Sequence, residues 1–203
     1  MLILRTSPVS PFVRKVRIGA ALCGLTDRIR VEAADTLDPK DSVRSQNPLG
    51  KIPVLIAEDG TVIYDSPVIM EYFDHLAGGG CILPRAGMER FAAQRLEALA
   101  DGMMDAAILQ IYETRFRPQE KHEPRWLEHQ AGKVARGLDY LEQSPPAFEP
   151  MIHVGHVAVA CALGYLDLRF GGRWRADHPR LADWLDEFAW KVPAFDETKP
   201  PPQ

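Results

Sequence analysis

Hydrophobic and polar positions change period several times along the first third of the chain. Residues 2–5, Leu-Ile-Leu-Arg, predict a short buried strand. Over 11–24, Val13, Val16 and Ala20 recur at spacings of three and four, which predicts a helix, with Gly24 at its C-terminal cap. Residues 29–33 predict a second strand and 39–45 a weak helix. Residues 53–56 and 61–64 read as two strands joined through Glu58-Asp59-Gly60, whose Asp-Gly pair is a strong hairpin signal. A helix over 66–77 completes the order β-α-β-α-β-β-α, a small α/β unit in which parallel strands are followed by a hairpin.

Beyond that point the strand signals stop. Gly78-Gly79-Gly80 and Pro84 mark a linker over 78–87, which divides the chain into a domain at 1–77 and an all-helical domain at 88–203. A long helix is predicted over 88–116, with Ala92, Leu96, Leu99, Met103 and Ala106 in 4-3-4-3 spacing, and another over 126–141. Residues 154–170 are apolar nearly all round and predict a central buried helix. Leu181, Trp184, Leu185 and Phe188 mark a shorter amphipathic one. The tail, Pro200-Pro201-Pro202, is expected to fray.

Composition narrows the class. The 203 residues carry 24 basic and 28 acidic side chains, for a net charge of −4. Residues 1–77 hold 9 of the basic and 10 of the acidic groups, so neither part has the basic footprint of a nucleic-acid binder. The longest apolar run, 157–166, is too short to span a membrane, and the start of the chain has no leader-like pattern. Cys23, Cys81 and Cys161 are few and scattered, which predicts a reducing cytoplasm rather than a disulfide framework or a zinc site. Proline is over-represented, at 17 residues. Together with 15 glycines it stays below the level of disordered low-complexity chains.

Three local motifs carry candidate chemistry. Ser10-Pro11-Phe12 starts the first helix with serine at the N-cap and proline at N1. The same geometry sets a hydroxyl and free N–H groups at the positive end of a helix, where an anion such as a thiolate is stabilised. In Asn47-Pro48-Leu49-Gly50-Lys51-Ile52-Pro53-Val54-Leu55, proline opens a strand and is a candidate cis-proline. A cis bond there leaves the backbone of Ile52 free to pair with an extended peptide. Asp65-Ser66-Pro67 repeats the serine–proline helix start and suits an α-amino acid, with Asp65 for the ammonium and Ser66 for the carboxylate. Taken singly, each motif is equally a plain cap or an ordinary edge proline.

Taken together, these motifs resemble the thioredoxin-like domain of cytosolic glutathione S-transferases, along Ser10 to Val16, Asn47 to Leu55 and Tyr64 to Ile69. The stretch Ala158-Val159-Ala160-Cys161-Ala162-Leu163-Gly164-Tyr165-Leu166-Asp167 and the Pro193-Ala194-Phe195 tail are similar to the helical domain of bacterial members. The resemblance covers nearly the whole chain. It implies a glutathione S-transferase fold and a serine-type enzyme, with glutathione as co-substrate and no metal. Ser10 would activate the sulfur, with Ser7 as a second candidate. Ile52, preceding cis-Pro53, would pair with the cysteinyl residue. Asp65 and Ser66 would hold the γ-glutamyl end, and Lys51 would lie near a carboxylate. It further implies a cytoplasmic, detoxifying homodimer without nucleic-acid or membrane partners.

Met103, Ala107, Ile111, Tyr112 and Arg115 are candidates for the wall of the electrophile pocket, and equally for helix packing. A cysteine-type exchange activity is disfavoured, because position 10 is serine and Cys23 lies at the far end of the helix. Two other readings stay open: a non-catalytic glutathione-fold binding or regulatory protein, and a glutathione-dependent isomerase or dehalogenase. One departure from the family pattern stands out. Where the buried helix should open with a Ser/Thr-x-x-Asp capping box, this chain has His153-Val154-Gly155-His156. The cap is therefore expected to be lost or replaced, and a metal site on the two histidines is the alternative.

Overall fold

The structure is a computed structural model that describes residues 1–201. β1 (Leu2–Thr6) and β2 (Ile29–Ala33) pair in parallel, with Leu2 opposite Ile29. β3 (Val54–Ile56) runs antiparallel to β1, and β4 (Val62–Ile63) closes the hairpin on its far side, giving the order β2-β1-β3-β4. Leu2, Leu4 and Leu55 of the sheet pack with Val16 and Ala20 of α1 (Pro11–Leu22) and with Ile69 and Phe73 of α3 (Ser66–Leu76). Cys23 caps α1, one residue before Gly24, the expected cap, which follows it with positive φ.

The helix expected over 39–45 shrinks to one turn, α2 (Val43–Gln46). Asp38 and Asp41 are the reason. Their carboxylates accept the N–H groups of Lys40 and Val43, each at 2.8 Å, and such local bonds compete with helix hydrogen bonds. Asp41 also takes the N–H of Asp35 at 2.7 Å and the Arg5 guanidinium at 2.9 Å.

Six further α-helices follow among the described residues: α4 (Met88–Phe116), α5 (Pro124–Gln143), α6 (Val154–Phe170), α7 (Trp174–Asp177), α8 (Pro179–Lys191) and α9 (Ala194–Glu197). A small mixed sheet followed by these helices is a thioredoxin-like domain followed by a helical one. α5 begins two residues earlier than its apolar period, with Pro124 at N1 and the Glu123 carboxylate accepting the Arg125 N–H at 3.1 Å. As its composition predicts, α6 is buried at the centre, and every residue from Val154 to Leu163 is enclosed. At Gly155 a side chain would meet the Ala93 carbonyl oxygen and Leu96 Cβ, both at 2.8 Å, so α6 lies against α4 closer than any other residue allows.

The stretch between α3 and α4 is pinned rather than loose. The Asp74 carboxylate accepts the N–H groups of Cys81 (2.7 Å), Ile82 (2.8 Å), Gly80 (3.0 Å) and Leu83 (3.2 Å). Gly78, Gly79 and Gly80 all have positive φ, which lets the chain fold back over that carboxylate. Burial pushes the Asp74 pKa up, but the four N–H groups outweigh it and hold the carboxyl below its ordinary value.

Two cations join the α/β part to the helices. Lys15 of α1, fully enclosed, reaches Glu97 at 3.0 Å and both oxygens of Asp101 at 2.7 and 2.8 Å on α4. Arg14 donates to the Phe195 carbonyl at 2.6 Å and lies 3.8 Å above its ring centroid. The cap of α6 is replaced, not lost. The Gly155 N–H donates to Nδ1 of His153 at 3.2 Å, and the His153 N–H donates to Nδ1 of His156 at 3.1 Å. Nε2 of His156 bonds the Ala147 carbonyl at 2.9 Å. Both Nδ1 atoms act as acceptors, so both rings are neutral and serve as a histidine–histidine capping box.

Candidate active site

A cleft of about 490 Å³ opens where the N-terminus of α1 and the loop at 50–52 face α4 and α6. That size is within the usual range of small-molecule sites. Ser10, at the rim, has extended backbone (φ −79°, ψ 122°) and caps α1, its Oγ accepting the Val13 N–H at 3.3 Å. A hydroxyl that accepts this bond keeps its own proton free to donate. Pro11 has no N–H, and the Phe12 N–H has no backbone partner among the described residues. The cleft therefore meets a hydroxyl, a free amide and the positive end of a twelve-residue helix at one point.

Lys51 and Ile52 line the same cleft. The Ile52-Pro53 bond is cis, as the sequence predicts, and Ile52 makes no backbone hydrogen bond among the described residues. The Asn47 side chain braces the turn, donating to the Lys51 carbonyl at 3.0 Å and accepting the Leu49 N–H at 3.0 Å. Asp65 and Ser66 stand at the start of α3. Asp65 is the N-cap, yet its exposed carboxylate makes no cap bond, and Ser66 is buried. Neither lines the main cleft. Asp105 connects the two places. It lines the cleft, and its pKa is raised by burial, lowered by the nearby Lys51 and raised again by Asp65. The fold thus brings Lys51 and Asp65 near Asp105, past the middle of α4.

Of the residues expected in the electrophile pocket, Ile111, Tyr112 and Arg115 line the cleft. Met103 and Ala107 do not. Both are buried in the helical core, with Met103 filling the space over Gly137 of α5, where a side chain would come within 2.5 Å of its sulfur. Ser7 lines the cleft beside Ser10, while Ser10 holds the cap position. Sequence reasoning missed Asp105, Tyr165 and Arg169. Their signal was present as spacing: Asp105, Ile108 or Leu109, and Tyr112 step one turn at a time along α4, and Tyr165 and Arg169 are four apart on α6. The Arg169 guanidinium lies 5.7 Å from the Tyr165 ring centroid, and that of Arg115 lies 5.8 Å from Tyr112. Burial raises the Tyr165 pKa despite both arginines, so its phenol stays protonated at neutral pH.

Other reactive groups are spent elsewhere. Cys23 sits at the far end of α1, and burial together with neighbouring Cys81 pushes its thiol pKa up, away from thiolate chemistry. Among the described residues no group of three or more His, Cys, Asp or Glu side chains could hold a metal ion. Among the described residues no helix is long and apolar enough to cross a membrane.

Comparison with known proteins places this geometry. Residues 9–76 match the glutathione S-transferase N-terminal domain and residues 124–187 the C-terminal domain of the same family. YibF of Escherichia coli, an uncharacterized GST-like protein, is 36% identical over 199 residues, covering 96% of each chain. A glutathione transferase family member from Pseudomonas fluorescens, solved with bound glutathione, is 41% identical with a TM-score of 0.92, over 99% of this chain and all of that one. A second structure from that organism, with bound S-(propanoic acid)-glutathione, is 40% identical with a TM-score of 0.86, over 99% of this chain and 100% of the other. Family matches over both parts of the chain, and a relative this similar along nearly its full length, establish that the chain belongs to the glutathione S-transferase family.

Proposed function

We propose that this chain is a glutathione transferase that holds the glutathione sulfur as a thiolate beside Ser10 and joins it to small hydrophobic electrophiles. The observation that carries the reading is Ser10 itself, a helix N-cap whose Oγ keeps a free proton at the rim of the cleft. A free thiol with a pKa of about 8.5 is roughly 3% ionised at pH 7. Lowering it to about 6.5 makes it about three-quarters thiolate, for about 2.7 kcal/mol, within reach of one charge-assisted hydrogen bond plus a helix N-terminus. Ser10 is then a hydrogen-bond donor, not a nucleophile.

The remaining motifs divide the tripeptide among them. The unpaired backbone of Ile52, ahead of Pro53, takes the cysteinyl residue. Asp65 takes the ammonium of the γ-glutamyl end, while Ser66 and the first turn of α3 take its carboxylate, with Lys51 close by. The glutathione complexes of the Pseudomonas relative support this use of the cleft. The three free cysteines fit a reducing cytoplasm and a detoxifying role there. A homodimer is part of the same reading, supported by exposed Val68 on α3 and Met88 and Phe91 on α4, beside the Arg90–Glu71 ion pair that bridges those helices.

The test is a glutathione titration read by thiolate absorbance across pH, for wild type and Ser10→Ala. Wild type should show a bound thiol titrating about two units below free glutathione, and the variant should lose most of that shift, with kcat/KM down about 10- to 100-fold. Binding with an unshifted thiol leaves a binding or regulatory module. An electrophile panel that returns unconjugated product identifies an isomerase or dehalogenase.

A further inference from the structure

A second cavity, of about 350 Å³, is walled by α1, α6, α7, α8, α9 and the residues after them, and it shares no lining residue with the cleft. Arg14 is the unusual group in it. The residue is 6% exposed, yet one guanidinium nitrogen alone is bonded: Nη2 donates to the Phe195 carbonyl at 2.6 Å. Nε is enclosed with no partner. Nη1 has none among the described residues and stands over Gly164 at the cavity wall, where a Cβ would come within 2.5 Å of it. Burial draws the Arg14 pKa below the usual guanidinium value, and Cys161, Asp196 and Asp167 offset this only in part. A buried cation with an open donor is destabilising until an acceptor meets it. The other charges divide into paired and unpaired. Asp167 holds Arg175, at 3.0 and 2.7 Å, and the Trp174 indole, at 2.8 Å. Asp186 has a loose contact with Arg175 at 3.8 Å, and the exposed Asp196 carboxylate makes no hydrogen bond or ion pair among the described residues. Asp196 directly follows Phe195, whose carbonyl Arg14 holds, so an enclosed cation and an unpaired carboxylate sit on adjoining parts of one wall. Leu168, Leu185 and Ala189 supply an apolar surface beside them.

We propose that this cavity binds a zwitterionic α-amino acid with an apolar side chain, its carboxylate on Arg14, its ammonium on Asp196 and its side chain against Leu168, Leu185 and Ala189. The lining carries three cations, Arg14, Arg175 and Lys199, and three carboxylates, Asp167, Asp186 and Asp196, so net charge favours neither an anion nor a cation. A plain carboxylate gains at Arg14 but is repelled by Asp186 and Asp196. A plain amine gains at those acids but is repelled by Arg14. A ligand with both charges gains at each place. Because Arg14 is enclosed, its bond to a carboxylate is charge-assisted and weakly screened by salt. The volume falls within the range of small-molecule sites.

The test is calorimetric titration of the intact protein with L-phenylalanine, 3-phenylpropanoate and 2-phenylethylamine, which share an apolar body and differ in which charge is missing. Wild type should bind L-phenylalanine at least about tenfold more tightly than either of the others. In Asp196→Asn its advantage over 3-phenylpropanoate should fall below about threefold, and in Arg14→Gln its advantage over 2-phenylethylamine should fall likewise. Arg14 also ties α1 to α9, so Asp196→Asn, at an exposed position, decides the matter if Arg14→Gln does not fold. Asp65→Asn, outside this cavity, should leave L-phenylalanine binding unchanged. Equal binding of the three compounds, no heat at millimolar L-phenylalanine, or a loss in Asp65→Asn with none in Asp196→Asn overturns the site. The transferase reading does not depend on the result.

Discussion

Asp74 shows how much one side chain can settle locally. Four consecutive N–H groups converge on its carboxylate, and only a carboxylate offers that many acceptor sites with no donor of its own. Asp74→Asn should therefore cost about 2–4 kcal/mol in urea unfolding, since the amide turns donors toward donors in a buried place. Because the folded-state pKa lies below the ordinary value, this contribution is present above about pH 4 and fades on further acidification. An unchanged midpoint in the variant would show that the glycine turn holds itself. Nothing in the sequence marks Asp74 for this role. It sits in a helix pattern, and its partners, six to nine residues on, read as a loose linker until the chain folds back. Ser10, Ile52 and Asp65 are different, because helix starts and a strand-opening proline are local features that spacing reveals. Asp105, Tyr165 and Arg169 reach the cleft only through the crossing of α4 and α6, so their chemistry is visible as a stripe but not as a site.

At the scale of elements, the 4-3-4-3 spacing of α4, the all-round apolar run of α6 and the Asp-Gly turn of the hairpin are strong enough to be read directly. The weak element was the helix over 39–45, where aspartate side chains take the bonds that a helix would need. The α6 cap is the element whose behaviour is least expected from composition. Burial first, and then His156, push His153 down to about 4, and burial lowers His156 despite its bond to Ala147. Between pH 6.5 and 4 the unfolded chain takes up protons that the folded cap refuses, so stability falls as pH drops through that window. With His153 only partly enclosed, the effect should be about 1–2 kcal/mol. Asp101, pushed up to about 6 chiefly by burial, works in the opposite sense between pH 3.8 and 6, so the informative quantity is a difference between proteins. His153→Ser/His156→Asp, which rebuilds an oxygen-based capping box, should lose less stability than wild type from pH 6.5 to 4.5. Parallel curves for the two proteins would count against a titrating cap.

For the whole molecule, the outward apolar side chains at the α3–α4 junction set the assembly prediction. Phe91 is 64% exposed in the single chain, with Met88 and Val68 also uncovered. Light scattering at micromolar concentration should give twice the chain mass for wild type and a single-chain mass for Phe91→Glu. A monomeric wild type would remove the dimer from the reading. Inside each chain, the dry contact of Lys15 with Glu97 and Asp101 has a consequence of another kind. Parting the two domains would leave a cation on one and two carboxylates on the other, in places shaped to exclude water. That penalty couples the two halves, so calorimetry should show one concerted transition, although the chain is built from two folds, and two resolved transitions would show that the contact does not tie them.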